Sequence, residues 1–214
     1  MIKVEKFTFN PFSENTYVLY DDTKECVIID PGCAQSFEKE ELSRFIDENE
    51  LKPVRLLNTH CHVDHVFGNY YVSQKYNLEL EAHNLDLPTL ALVPQACMMY
   101  GIRGYELSPE PTKFLEEGVN VKFGNSELEV IHGPGHAPGH VAFYAKEECF
   151  VINGDILFEG SFGRYDLPGG DLPTLKRTIT EKMFSLPDDT VVYCGHGGET
   201  TIGREKLTNP ILSY

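Results

Sequence analysis

Four apolar stretches of the chain end in residues of one chemical kind, and this limits the fold more than any other feature of the sequence. They are VRLLNTHCHVDH (54–65), LEVIHGPGHAPGH (128–140), CFVINGDILF (149–158) and TVVYCGHGGE (190–199). Aliphatic and β-branched runs followed by imidazoles, carboxylates and glycines read as strands that deliver ligating side chains into the loops at their ends. Side chains held by rigid strand ends make a well-preorganised site. If the four act together, their strand ends must meet in the fold.

The first stretch holds three of the eight histidines of the chain within six positions. His60 and His62, two apart on an extended backbone, project to one side and can share an ion. Asp64 and His65 sit where the chain is expected to turn into a helix and can face a second ion. One tetrahedral site does not accommodate four neighbouring side chains, so the other stretches must complete two sites. Paired ions stand roughly 3.5–4 Å apart and are bridged by a carboxylate and a water-derived hydroxide. Asp155, after an apolar strand and beside Gly154, is the candidate bridge. Imidazole and carboxylate suit zinc, iron and manganese.

Apolar alternation places strands near 2–9, 15–20 and 25–30, with Asp21, Asp22 and Thr23 in a hairpin turn. A helix over 36–50, capped by Ser36 and striped by Leu42, Phe45 and Ile46, leads to a strand at 53–58. A helix at 64–77 and a strand at 78–82 follow. Residues 84–117, punctuated by Pro88, Pro94, Pro109 and Pro111, read as short helices and loop, either a flap over the site or a surface excursion. A second strand series covers 119–123, 126–132, 140–145 and 149–153. After it come a helix at 171–185, with Asp171 as cap and Pro173 in its first turn, and a strand at 190–194. The expectation is one α/β domain over 1–214, two sheets with helices outside.

With 33 acidic against 18 basic residues the formal net charge is −15, which makes nucleic acid and anionic membranes poor partners. The first twenty residues contain no apolar run suited to a signal peptide or membrane span. Six cysteines without a CxxC pair read as reduced thiols of a cytoplasmic protein, with Cys61 a small filler between ligands.

HxHxDH, PGHAPGH, GD and CGHG, in this order, resemble the metallo-β-lactamase superfamily, and within it the glyoxalase II-like (hydroxyacylglutathione hydrolase-like) metallohydrolases. GSFGRYDLPGGD (160–171) and GHGGETTIGREKLTNP (195–210) are similar to the compact bacterial branch. The resemblance implies a four-layer αβ/βα sandwich of two mixed sheets. It implies that His60, His62 and His136 hold one metal, that Asp64, His65 and His196 hold the other, and that Asp155 bridges them. Zinc is the first expectation, iron or manganese the alternatives. The implied reaction is hydrolysis of a small-molecule thioester such as S-D-lactoylglutathione by a metal-bridging hydroxide, with Asp64 as the catalytic carboxylate.

Arg164 would contact a substrate carboxylate or pair with Asp166 or Asp171. His140 is expected to orient ligands, while His83 and His132 stay outside the site. Met98, Met99, Tyr100 and Tyr165 are expected to pack as apolar residues. Long relatives carry a C-terminal helical glutathione-binding domain, for which no counterpart is expected here. The rival readings are a mononuclear-iron persulfide dioxygenase, a phosphodiesterase, a secreted β-lactamase and a non-catalytic metal-binding module.

Overall fold

Alternation along the strands sorts the apolar residues onto two faces, and that sorting builds the layers. A computed structural model describes residues Met1–Tyr214. The first sheet runs in chain order: β1 (Lys3–Phe9), β2 (Glu14–Tyr20), β3 (Glu25–Ile29), β4 (Lys52–Leu57), β5 (Leu80–Ala82) and β6 (Lys113–Phe114). β1, β2 and β3 pair antiparallel, as the expected hairpin requires, and β3 to β6 pair parallel. Parallel neighbours need crossovers. These are α1 (Ser36–Glu48), α2 (Asn69–Tyr76), and the pair α3 (Leu87–Ala91) and α4 (Val93–Met99).

The second sheet is built from β7 (Val121–Phe123), β8 (Ser126–His132), β9 (Val141–Ala145), β10 (Phe150–Gly154), β13 (Val191–Cys194) and β14 (Thr200–Thr201). Its spatial order is β14-β13-β10-β9-β8-β7, with a single parallel pair, β10 and β13. The segment between those two strands carries a small hairpin of β11 (Leu157–Phe158) and β12 (Ser161–Phe162), then α5 (Leu172–Arg177). α6 (Ile202–Thr208) follows β14.

Leu19, Val27, Ile29 and Leu57 point inward and meet Leu128, Val130, Phe143 and Ile152 of the other sheet in one apolar layer. The alternate residues Val18, Ile28 and Leu56 point outward onto Leu42 and Ile46 of α1 and Val72 of α2. On the far side Ala142, Tyr144, Val151 and Val192 pack with Leu175, Ile179, Met183 and Ile202. The result is the expected four-layer α/β sandwich. No helix is long and apolar enough to cross a membrane.

Three helices differ from expectation. The helix read over 64–77 is a 3₁₀ turn, Val63–His65, followed by α2 from Asn69. Gly68 interrupts it, because a Cβ there would lie 2.4 Å from Cys33 Sγ, and its N–H donates to Pro31 O instead. α1 starts after Gln35 rather than Ser36, and the Glu38 carboxylate accepts the N–H groups of Ala34 and Gln35, both at 2.7 Å. Asp171 does cap α5 through Thr174 N–H at 2.9 Å, but after Arg177 the helix widens into a π turn, Thr178–Lys182. The wider turn lets the Thr178 hydroxyl donate to Pro134 O at 2.7 Å while Leu175, Ile179 and Met183 remain in the core.

Candidate metal centre

The four ligand-bearing strand ends converge at one edge of the sandwich and are sewn together by backbone bonds. Val141 N–H donates to Thr59 O at 2.8 Å, Gly195 N–H to Gly154 O at 2.7 Å, and Asn15 N–H to Gly195 O at 2.7 Å. All seven residues singled out as ligands meet there. His136 Nε2 lies 2.8 Å from His62 Nδ1 and 3.2 Å from His60 Nε2. Asp64, His65 and His196 form a second group, their ligating atoms within 4.8 Å of one another. Asp155 stands between the groups. Its Oδ1 is 3.6 Å from His65 Nε2, and its Oδ2 is 3.6 Å from His136 Nε2 and 3.5 Å from His196 Nε2.

Hydrogen bonds on the outer ring nitrogens fix which atom of each imidazole faces the centre. His136 Nδ1 donates to Arg164 O at 2.7 Å, His196 Nδ1 to Phe12 O at 3.1 Å, and His65 Nδ1 to Asp30 Oδ2 at 3.1 Å. The Thr59 hydroxyl gives its proton to Asp30 Oδ2, so at 3.0 Å it accepts from His60 Nδ1. His60 Nε2 and His136 Nε2 therefore face each other as electron-pair acceptors, and His62 Nδ1 lies 2.8 Å from His136 Nε2. His65 Nε2 and Asp155 Oδ1 are buried with no hydrogen-bond partner in the protein. A cation placed between these atoms and the facing histidines satisfies them all, so the residues fit a pair of metal ions.

Burial holds the first group neutral: it pushes His60 far down, His62 down to about 3, and lowers His136. In the second group burial pulls the same way, but the carboxylates outweigh it. Asp64 and Asp155 raise His65 well above the ordinary imidazole value, and Asp155 and Asp64 push His196 up to about 10. Burial would raise Asp155, yet His65 and His196 hold it well below the carboxylate range. The second position therefore favours positive charge and the first offers neutral nitrogen ligands.

Residues 9–196 match the family model described as the Metallo-beta-lactamase superfamily. The chain belongs to the metallo-β-lactamase superfamily. Hydroxyacylglutathione hydrolase GloC of Haemophilus influenzae is 35% identical over 213 residues, covering 99% of each chain. Two solved structures superpose over nearly their whole length. TTHA1623 in a di-iron-bound form has a TM-score of 0.87 and 40% identity, over 97% of this chain and 99% of that one. BLEG-1 B3 metallo-beta-lactamase has a TM-score of 0.89 and 34% identity over 100% of both.

Around this superfamily centre lie residues that sequence reasoning missed. Asp30 closes β3 in the stretch CVIIDPG, a fifth strand end with the grammar of the other four. Its carboxylate is saturated by Thr59 N–H, the Asn58 amide, the Thr59 hydroxyl and His65 Nδ1, so it orients ligands rather than adding one. Asp86, fully buried before α3, accepts Cys61 N–H at 2.5 Å, Gly139 N–H at 3.0 Å and the Thr89 hydroxyl at 3.1 Å. It ties the first ligand loop to the loop carrying His136. Nothing in the sequence marks it. Asn10, at φ +52°, donates to Asp64 O at 3.0 Å.

His140 stacks on His60 with ring centres 4.6 Å apart, and its Nε2 accepts Asp155 N–H at 3.0 Å, which orients both neighbours. His83 and His132 stack on each other at 4.3 Å, outside the seven-residue group. Cys61 is fully buried and burial pushes its thiol up, so it is an inert filler. Arg164 pairs with Asp166 through Nε at 2.8 Å and Nη2 at 2.9 Å, not with Asp171. Gly195 permits a close approach at the centre, since a Cβ there would lie 2.1 Å from Asp155 Oδ1.

A cavity of about 580 Å³ opens over His62, Asp64, His136, Asp155 and His196. α3, α4 and their connection form one wall, so part of the 84–117 segment covers the site. Met99 and Tyr100 line that wall rather than packing in the core, and they stay 73% and 46% exposed.

Proposed function

We propose that this chain is a dinuclear metal-dependent hydrolase acting on a small-molecule thioester, of the hydroxyacylglutathione hydrolase (glyoxalase II) kind. The observation that carries the reading is Asp155, whose carboxylate lies 3.6 Å from His136 of one ligand group and 3.5–3.6 Å from His196 and His65 of the other. In this reading His60, His62 and His136 hold one ion, Asp64, His65 and His196 the other, and Asp155 is shared. The likeness to a hydroxyacylglutathione hydrolase and to a di-iron protein supports both the reaction and the two-ion stoichiometry. Zinc is the first choice of metal; the di-iron relative keeps iron beside it, and manganese suits the same ligands. A mononuclear persulfide dioxygenase would leave the second ligand group without a purpose.

When bound, the two divalent ions polarise the substrate carbonyl and lower the pKa of water toward about 7. The chain's own residues do the rest. Asp64 lies in the cavity floor, and its Oδ2 is held 3.1 Å from His196 Nε2. Burial works against its charge, but His65 and His196 keep it ionised, ready to orient the attacking water and accept its proton. Thr59, Asp30 and Arg164 O fix the imidazoles before substrate arrives, so little reorganisation is required. A thiolate leaves without a proton, so no general acid is needed in the cavity wall.

The same reading takes 1–214 as one domain, with 84–117 as a flap, in the cytoplasm; six free cysteines, five of them buried, support a reducing compartment. The likeness to a B3 metallo-β-lactamase favours β-lactam hydrolysis as a second reading. An amine leaving group would then require a proton donor. The test is the initial rate on S-D-lactoylglutathione, simple thioesters and a chromogenic cephalosporin, with bound metals counted. Asp64→Asn is expected to lower kcat by about 10²–10⁴ with the fold intact; near-normal turnover by that variant refutes the assignment.

A further inference from the structure

The cavity wall opposite the ligands says what kind of molecule fills it. Leu92, Val93, Met99, Phe158, Phe162 and Leu167 line it, and Phe12 adds an aromatic ring edge-on to Tyr100 at 5.2 Å. The polar side chains among the lining residues away from the ligands are few. Thr89, Gln95 and Ser161 are neutral, and Arg164 is the sole lysine or arginine. Its Nε and Nη2 are engaged by Asp166, and this exposed pair offsets part of its charge. The apolar surface does not stop at the rim: Met98, beside Met99, is 80% exposed, and Leu92 and Tyr100 remain open to solvent.

A glutathionyl group carries two carboxylates and an ammonium. Binding it requires free cations or a cluster of donors, because a carboxylate desolvated without partners costs several kcal/mol. This wall offers one cation, already paired with Asp166, and a few neutral donors including the Tyr100 hydroxyl, and it belongs to a chain of formal net charge −15, which further disfavours anions. We infer that the site takes thioesters whose bulk is apolar and uncharged, on either the acyl or the thiol side, in preference to glutathione thioesters. The inference rests on the thioesterase reading above for the reaction, and on the cavity alone for the selectivity. A volume of about 580 Å³ falls in the range of sites that enclose a drug-sized ligand.

Two substrate series test it on enzyme with both metal sites filled. One lengthens the acyl chain of S-acyl-N-acetylcysteamine from acetyl to hexanoyl; the other lengthens the thiol chain of S-alkyl thioacetates. Full burial raises kcat/KM about fourfold per methylene, so at least one series should rise about tenfold or more. The series that rises identifies the apolar side. The best member should exceed S-D-lactoylglutathione by at least about tenfold. Flat profiles in both series, or a faster rate on S-D-lactoylglutathione, overturn the inference and leave the thioesterase reading standing.

If no thioester turns over, the thioesterase reading fails, and calorimetric binding still decides the selectivity. S-hexyl-N-acetylcysteamine thioether should bind at least about tenfold tighter than S-methylglutathione, and equal or reversed affinities overturn it. Met99→Lys, at an exposed wall position, places a free cation in the cavity. It should shift relative affinity toward S-methylglutathione by about fivefold or more; an unchanged ratio counts against the wall as the source of selectivity.

Discussion

Asp86→Ala should weaken the protein and its metal centre together. Asp86 sits at the start of the covering segment, yet its carboxylate holds the backbone of both ligand loops, through Cys61 N–H and Gly139 N–H. Removing it leaves two buried N–H groups without partners, at about 1–3 kcal/mol each. Burial raises the Asp86 pKa, so the charge itself costs part of what its bonds return. We therefore expect a net loss of about 2–4 kcal/mol, or about 4–16 °C in Tm for a chain of this size. Loss of support behind metal ligands typically costs about 10–100-fold in affinity, which should appear in zinc competition titrations against a chelating dye. Thermal unfolding of the metal-loaded and metal-free forms separates the two effects. A Tm within about 2 °C of the parent in both forms, with unchanged zinc affinity, would refute the clamp.

Asp21 gives a pH-dependent contribution away from the metals. Burial would raise it, but bonds from Thr23, Asn125 N–H and the Ser126 hydroxyl hold it down to about 2 from an ordinary 3.8. A depressed carboxylate stabilises above its unfolded pKa and loses that contribution as pH falls through its folded value, here about 2 kcal/mol between pH 4 and 2. Urea unfolding across that window should show Asp21→Asn with a flatter profile than the parent; parallel profiles would remove the contribution. Gly195→Ala forces a Cβ to within 2.1 Å of Asp155 Oδ1, so the bridge must move. The variant should fold, bind about one metal fewer per chain and lose most activity, and two tightly bound metals with normal turnover would contradict the crowding.

The convergence of the seven candidate ligands was legible because each lies in a loop or turn that follows a strand with an unambiguous apolar pattern. The layers were legible for the same reason: Val18 and Leu19, or Ala142 and Phe143, must face opposite ways whatever the partner. Helix ends were not. Gly68 breaks a pattern that looks helical from 64 to 77, because Cys33, far away in sequence, occupies the space of its side chain. Asp86 was invisible for a related reason. Its partners Cys61 and Gly139 offer only backbone N–H groups, which every residue except proline carries, so no residue type signals the contact.

Strand direction accounts for why so much of the site collects at one edge. β3 and β4 are parallel, and two antiparallel steps make β1 run the same way as β3. In the second sheet β10 and β13 are parallel, and two antiparallel steps likewise align β8 with β10. Every strand of these two sets therefore ends at the same edge of its own sheet, and the backbone bonds at Thr59, Gly154 and Gly195 bring the two edges together. Asp30 follows β3, the HCHVDH loop follows β4, His136 follows β8, Asp155 follows β10 and His196 follows β13. The turn after β1 must then lie there too, and it supplies Asn10 and Phe12, which hold Asp64 O and His196 Nδ1. Asn10 and Phe12 carry no motif and precede the first ligand by about fifty positions, yet strand direction alone places them at the centre. The same rule makes Asn10 a sharper test than a random neighbour: Asn10→Ala should loosen Asp64 without touching any ligand, lowering kcat while both metals stay bound.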